Sequence, residues 1–205
     1  MLLRRLLLIS VLTFLLLPLF GQKVYRKSLK KHRRDYKKEH RENPRSPLTK
    51  KNLRHVEFYN VDPNWRLDCT FERTADAQPF DMATYSGETR PYVRYGVATC
   101  PVANGESLRL EIYQNLSLRN IPTYREHLFL PFLDATNGDA TYGGGRYLDL
   151  SISDIEEGEI EIDFNKSYNP YCAYSDGYSC PIPPTPNHLT VAVAAGERLS
   201  EHFKH

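Results

Sequence analysis

From Trp65 onward the chain alternates between apolar and polar positions. Trp65, Leu67, Cys69 and Phe71 are separated by Arg66, Asp68 and Thr70, the period-two pattern of a strand with one buried face. Leu108, Leu110 and Ile112 repeat it against Arg109 and Glu111. Asn104-Gly105, just before them, reads as a two-residue hairpin turn that sets Val97 opposite Ile112 and Thr99 opposite Leu110. That register puts Cys100 opposite Arg109 on the polar side, away from Cys69, which then reads as a core filler. A second pair, Asn137-Gly138, is expected to turn the chain between LFLPFLDAT and DATYGGGRYLDL and to place Asp134 opposite Thr141. Glu156-Glu157-Gly158, taken as a three-residue loop with Gly158 left-handed, pairs Ile152 with Ile162 and Leu150 with Phe164. A two-residue loop at Glu157-Gly158 would set Ser153 against Ile162 and split the apolar sets between faces. The three-residue register also carries Arg146 to the side of Leu148 and Leu150, opposite Tyr168. HLTVAVAAGE (188–197) alternates once more and reads as a last strand. Short strands joined by turn signals, with no helix between them, predict an all-β fold, an antiparallel sandwich or barrel.

Ahead of the strands the period changes. Tyr25, Leu29, His32, Tyr36 and His40 fall at helical spacing, predicting an amphipathic α-helix from residue 23 to about 42, closed by Asn43-Pro44. Leu6–Phe20 is a mostly apolar run behind Arg4 and Arg5 and before Gly21, the layout of a secretory leader. As a helix it would reach about 23 Å, short of a bilayer core of about 30 Å. The expectation is therefore an exported protein, periplasmic or extracellular, with an uncleaved membrane anchor as the alternative. The predicted division is a leader (1–21), a basic helix and connector (22–54) and one β-rich domain (55–205), consistent with 205 residues that are 40% hydrophobic.

Charge sharpens that division. Lys23 to Arg54 holds 14 Lys/Arg against 3 Asp/Glu, and His55 to His205 holds 11 against 22. A basic arm precedes an acidic body. The arm either lies solvated against that body or touches an anionic envelope surface. Nucleic acid is disfavoured as a partner of an exported chain whose folded part is acidic.

Candidate chemistry gathers near the C-terminal half. YNPYCAYSDGYSC (168–180) places Cys172 and Cys180 in a ring-rich loop closed by prolines. Export favours a disulfide between them. The alternative, zinc with His188, lacks the usual two-to-four-residue thiolate spacing. No nucleophile elbow, metalloprotease helix or phosphate loop is present, and the sequence names no cofactor. Arg146 is the residue that demands an explanation, because a guanidinium taken from water costs several kcal/mol unless acceptors meet it. Asp134 can meet it as an internal brace. If a coordination position stays open, Arg146 suits a small anionic ligand, with Asp134, Thr141, Tyr142, Tyr168, Asn169 and Tyr171 around it. A hydrolase with Asp134 or Asp163 as general base, and a structural protein of the cell envelope, are the rival readings.

FLPFLDATNGDATYGGGRYLDL, DFNKSYNPYCAYSDGYSCPIPPTPN and VAAGE, with SPL at 46–48 and YVRYG at 92–96, resemble the signature of an uncharacterised bacterial family, domain of unknown function 1684. The resemblance spans about residues 25 to 198 and implies a mainly β domain behind an N-terminal helix, with no assigned activity. Asp134, Thr136, Thr141, Tyr142, Arg146, Asp163, Asn165, Asn169, Cys172, Cys180, Pro181, Pro183, Asn187 and Glu197 match its pattern. Cys69 and Cys100 stand outside it, and the stretch around Phe58 departs from it.

Overall fold

The computed structural model describes residues 2–103 and 105–203, with side chains from Gly21 onward. The apolar run Leu6–Phe20, expected to be a leader, falls outside those side chains. Among the described residues no helix is long and apolar enough to cross a membrane.

One long helix, α1 (Leu2–Glu42), precedes ten strands. These are β1 (Glu57–Phe58), β2 (Arg66–Arg73), β3 (Phe80–Ala83), β4 (Thr89–Pro101) and β5 (Ser107–Asn115), then β6 (His127–Phe132), β7 (Arg146–Ser151), β8 (Ile155–Glu156), β9 (Glu159–Asp163) and β10 (Glu197–Arg198). Eight form an antiparallel sheet in the order β7-β6-β5-β4-β2-β9-β8 with β3 on β4, and β1 pairs with β10 in a small second sheet. The large sheet does not close: among the described residues no pairing joins β7 to β8. The architecture is therefore sandwich-like and antiparallel, behind one N-terminal helix.

The pleat sorts the side chains as the alternation requires. Leu67, Leu110, Ile112, Leu128, Leu130, Phe132, Leu148, Ile162 and Phe164 share one buried core. Each such side chain contributes roughly 1.5–3 kcal/mol by leaving water. A bulge in β4 then changes what the opposite face carries. Arg94 pairs with Tyr113 but Gly96 pairs with Ile112, so Tyr95 is the extra residue. Gly96, Ala98 and Cys100 consequently follow Ile112, Leu110 and Leu108 into the core. Tyr92 is left on the other face, in a second cluster with Met82, Tyr113, Phe129 and Tyr147.

Several predicted registers shift by one residue. Gly105, with φ +85°, returns its N–H to Val102 O at 3.0 Å, and Val102 N–H reaches Glu106 O at 2.9 Å, so the first hairpin has a three-residue loop. Cys100 therefore lies opposite Leu108, and it forms a disulfide with Cys69 across β2 and β4. The expectation of an unpaired Cys69 is corrected accordingly. The third hairpin errs the other way. Glu156 pairs with Glu159 around Glu157 and Gly158, both at positive φ (50° and 83°), which is the two-residue turn set aside above. A short 3-10 turn at Ile152–Asp154 breaks the extension, so β7 pairs with β6 and β9 with β2. Asp134 and Thr141 do not face each other across strands. Instead Thr136 Oγ1 links them, at 2.6 Å to Asp134 Oδ1 and 2.8 Å to Thr141 Oγ1.

HLTVAVAAGE is extended but is no strand before Glu197. Its parity is as expected, with Leu189, Val191, Val193 and Ala195 toward the core. Its carbonyls go elsewhere, as the next section shows. The helix docks through Tyr25, Leu29, Arg33, Tyr36 and His40, with Arg33 rather than His32 on the inner stripe, its guanidinium 4.6 Å from the Phe58 ring centre. Two tyrosines tie it down: Tyr25 donates to Asp163 Oδ1 and Tyr36 to Glu197 Oε2, both at 2.9 Å. Asn43-Pro44 ends it as expected.

Candidate functional site

Alternation along β7 separates two environments. Arg146, Leu148 and Leu150 face the core, whereas Tyr147 and Asp149 face the opposite side. Arg146 is inward as expected but fully enclosed, at 0% exposure. Its Nη2 donates to Asp134 Oδ2 (2.7 Å) and Val193 O (2.8 Å), and its Nη1 donates to Ala195 O and to Glu197 O (3.2 Å). The guanidinium also sits over the Phe132 ring at 5.2 Å. These bonds take the carbonyls that a sheet partner of HLTVAVAAGE would have used, so Arg146 replaces a neighbouring strand. The close fit explains two glycines of the motif. A Cβ on Gly145 (φ +91°) would meet Phe132 O at 2.6 Å, and one on Gly196 (φ +75°) would meet Phe164 O at 2.6 Å.

Asp134 is equally committed, since its other oxygen accepts from Thr136 N, Thr136 Oγ1 and Val193 N at 2.6–3.2 Å. Thr141 and Asn169 are fully buried, Thr141 within the Asp134 turn and Asn169 donating its N–H to Glu197 Oε2 at 3.0 Å. Tyr142 packs edge-on against Tyr85. None of these five residues lines the principal cavity. The predicted anion centre at Arg146 is an enclosed internal brace, because both Nη atoms end on protein acceptors and Nε is buried without a partner. Asp163, the other hydrolase candidate, is 3% exposed and accepts from Tyr25 and from Asn165.

The principal cavity lies on the other side of β6 and β7 and measures about 390 Å³. Its floor is His127, Phe129, Tyr147 and Asp149, with Tyr92 from the bulged β4; α1 adds Tyr36, Glu39 and His40; the 168–181 loop closes it with Tyr168, Pro170, Tyr171, Tyr178, Ser179, Cys180 and Pro181. Of the predicted site residues, Tyr168 and Tyr171 are therefore brought here. The loop is held on the sheet by reciprocal backbone bonds between Tyr147 and Tyr168 (2.9 and 3.0 Å) and by Tyr147 Oη donating to Pro181 O. It is closed on itself by the Cys172–Cys180 disulfide, so those sulfurs are not available to zinc.

Polar contacts in the cavity are few and specific. Asp149 Oδ1 lies 2.9 Å from His127 Nε2, and Tyr168 Oη donates to both Asp149 oxygens at 3.0 Å. Tyr36, Tyr147, Tyr168 and Tyr178 all spend their hydroxyl hydrogens on protein acceptors. Burial, followed by the neighbouring carboxylate, holds Tyr36 and Tyr168 well above the usual phenol range. Burial pushes His40 down to about 4, so it is uncharged near neutral pH. Behind the wall, Glu197 is fully buried and accepts from Tyr36, Tyr174 and Asn169 N–H. Desolvation raises it to about 7 even against those donors.

A family model described as "Protein of unknown function (DUF1684)" matches residues 51–198. The chain belongs to the DUF1684 family. The solution NMR structure of an uncharacterized protein from gene locus rrnAC0354 of Haloarcula marismortui is similar, with 31% identity and a TM-score of 0.67, covering 87% of this chain and 96% of that one. No curated protein matches the chain. The DUF1684 match begins after α1, so the helix that roofs the cavity lies outside the matched residues.

Sequence reasoning did not bring His127, Phe129, Tyr147, Asp149 and Tyr92 together as one site, although His127 was a candidate base. A signal was present for the first four. HLFLPF is apolar on both parities, the mark of a strand covered on both faces. Tyr147 and Asp149 are simply the alternate positions to Arg146 and Leu148.

Proposed function

We propose that this DUF1684 protein binds a small organic molecule in the aromatic cavity between α1, the β6–β7 face and the disulfide-tied loop. One observation carries the reading: seven aromatic rings, those of Tyr36, Tyr92, Phe129, Tyr147, Tyr168, Tyr171 and Tyr178, wall a space of about 390 Å³. That volume and chemistry match ordinary ligand sites, which are concave, mostly apolar and carry a few placed polar groups. The Cys69–Cys100 and Cys172–Cys180 bonds further support work in an oxidising compartment outside the cytoplasm. The basic outer face of α1 supports contact with an anionic envelope surface.

A thermal-shift and ligand-observed NMR screen of neutral, cationic and anionic fragments tests the cavity directly. Binding stabilises the folded state by RT ln(1 + [L]/Kd), so hits raise the melting temperature. Hits are expected to be lost in Tyr171→Ala, whose circular dichroism stays that of the parent. Hits that survive this substitution, or a screen with none, would overturn the reading.

A further inference from the structure

Resting on that cavity reading, we infer that the ligand is a compact cation, a protonated or quaternary ammonium group boxed by rings and faced by carboxylate. Three independent features of the wall converge on this class.

The first is charge. The carboxylates lining the cavity are Asp149, 53% exposed, and Glu39 on the exposed face of α1. No lysine or arginine lines it. Arg90, whose charge reaches the Tyr92 hydroxyl, is itself paired with Glu88 at 2.9 Å. An anion entering here meets like charge, whereas a cation meets two carboxylates, Glu39 and Asp149, the latter also bonded to His127 and Tyr168.

The second is hydrogen bonding. Four of the six lining tyrosines already donate their hydroxyl hydrogens within the protein, so the wall presents ring faces and edges more than free donors. Carboxylates and phosphates need convergent donors of the kind that Arg146 directs inward instead. An ammonium group needs the opposite, negative ring faces and carboxylate oxygens.

The third is shape. Phe129 and Tyr147 meet at 71°, Tyr147 and Tyr168 at 90°, and Tyr171 and Tyr178 at 83°, with ring centres 4.8–5.9 Å apart, while Tyr36 and Tyr168 are tilted at 44° and Tyr92 and Phe129 at 31°. Rings set at right angles make the corners of a box. A flat base or sugar ring asks for parallel platforms, whereas a roughly spherical ammonium group is best surrounded by walls at right angles.

The test is isothermal titration of the full exported chain with choline and with its uncharged carbon isostere, in which tert-butyl replaces trimethylammonium. Choline is expected to bind roughly tenfold tighter than the isostere. Asp149→Asn, which keeps one acceptor for Tyr168, and Glu39→Gln, on the solvated helix face, should each narrow that ratio. An isostere that binds as well as choline, a ratio untouched in the double variant, or failure of both probes overturns the cationic class. In each of these cases Tyr171-dependent fragment hits would leave the cavity reading standing, so the two failures are distinguishable.

Discussion

Two neighbouring regions, one on each face of β7, use their polar groups in opposite ways. On the core side, Arg146 and Asp134 are both at 0% side-chain exposure and their contacts end on Thr136, Val193, Ala195 and Glu197. On the outer side, Tyr147 and Asp149 sit among the rings that line a cavity. A buried charge whose Nη atoms are bonded to the protein, and whose Nε is enclosed, stabilises and presents nothing to a ligand. A wall of rings most of whose hydroxyls are spent still offers its aromatic surface. The conspicuous residue of this sequence is thus a brace, and the proposed recognition surface is built from its less conspicuous neighbours one position along.

Breaking the brace should have the largest effect. Arg146→Met leaves Asp134 buried without its cation and strips three carbonyls of a donor, so a loss of about 3–5 kcal/mol is expected in urea unfolding. Adding Asp134→Leu should recover part of it. A loss below about 1 kcal/mol would show that the guanidinium is not structural.

Glu197 joins the two regions, because its carbonyl accepts from Arg146 and its carboxylate holds Tyr36 of the cavity roof. Its folded value of about 7 lies above its ordinary 4.5. The stability this shift supplies is complete below about pH 4.5 and is lost as pH rises through about 7, amounting to about 3 kcal/mol. Glu197→Gln should therefore gain relative to the parent between about pH 5 and about pH 8. His40, lowered by burial, acts the other way, its contribution being lost as pH falls below its ordinary 6.5 toward about 4. The difference between parent and Glu197→Gln isolates the carboxylate, and a flat difference across that range would remove this assignment.

The two disulfides sharpen the contrast further. Cys172–Cys180 closes a separation of 8 residues and Cys69–Cys100 one of 31, so chain entropy alone gives about 2.5 and about 3.7 kcal/mol respectively. Replacing Cys172 and Cys180 with Ser should cost the smaller stability but abolish fragment binding, since Cys180 is cavity wall. Replacing Cys69 and Cys100 should do the reverse. Tyr168→Phe is the mildest change, removing only the bonds to Asp149 at about 1 kcal/mol, and its effect should appear in ligand affinity before stability.

What was legible in the sequence follows the same physics. Alternation in β2 and β5 and the helical spacing from Tyr25 to His40 encode burial directly, so the antiparallel β class, the N-terminal helix and the inward Arg146 could be read. Registers could not. A glycine at positive φ ends a two-residue and a three-residue loop alike, and Gly105 and Gly158 each took the option not expected. The Cys69–Cys100 bond was lost with the first of these. The cavity was hidden because Tyr92 reaches it only through the bulge at Tyr95, and because α1 covers it from at least 52 residues away in the chain (His40 to Tyr92).

Aromatic-region NMR of the labelled protein, titrated in parallel with tetramethylammonium and with acetate, sets the two faces against each other in one experiment. The account predicts that tetramethylammonium shifts the ring signals of Tyr147, Tyr168 and Tyr171, and that neither ion moves the amides of Val193, Ala195 and Glu197 beside Arg146. Acetate-driven shifts at those three amides, with silent rings, would contradict it.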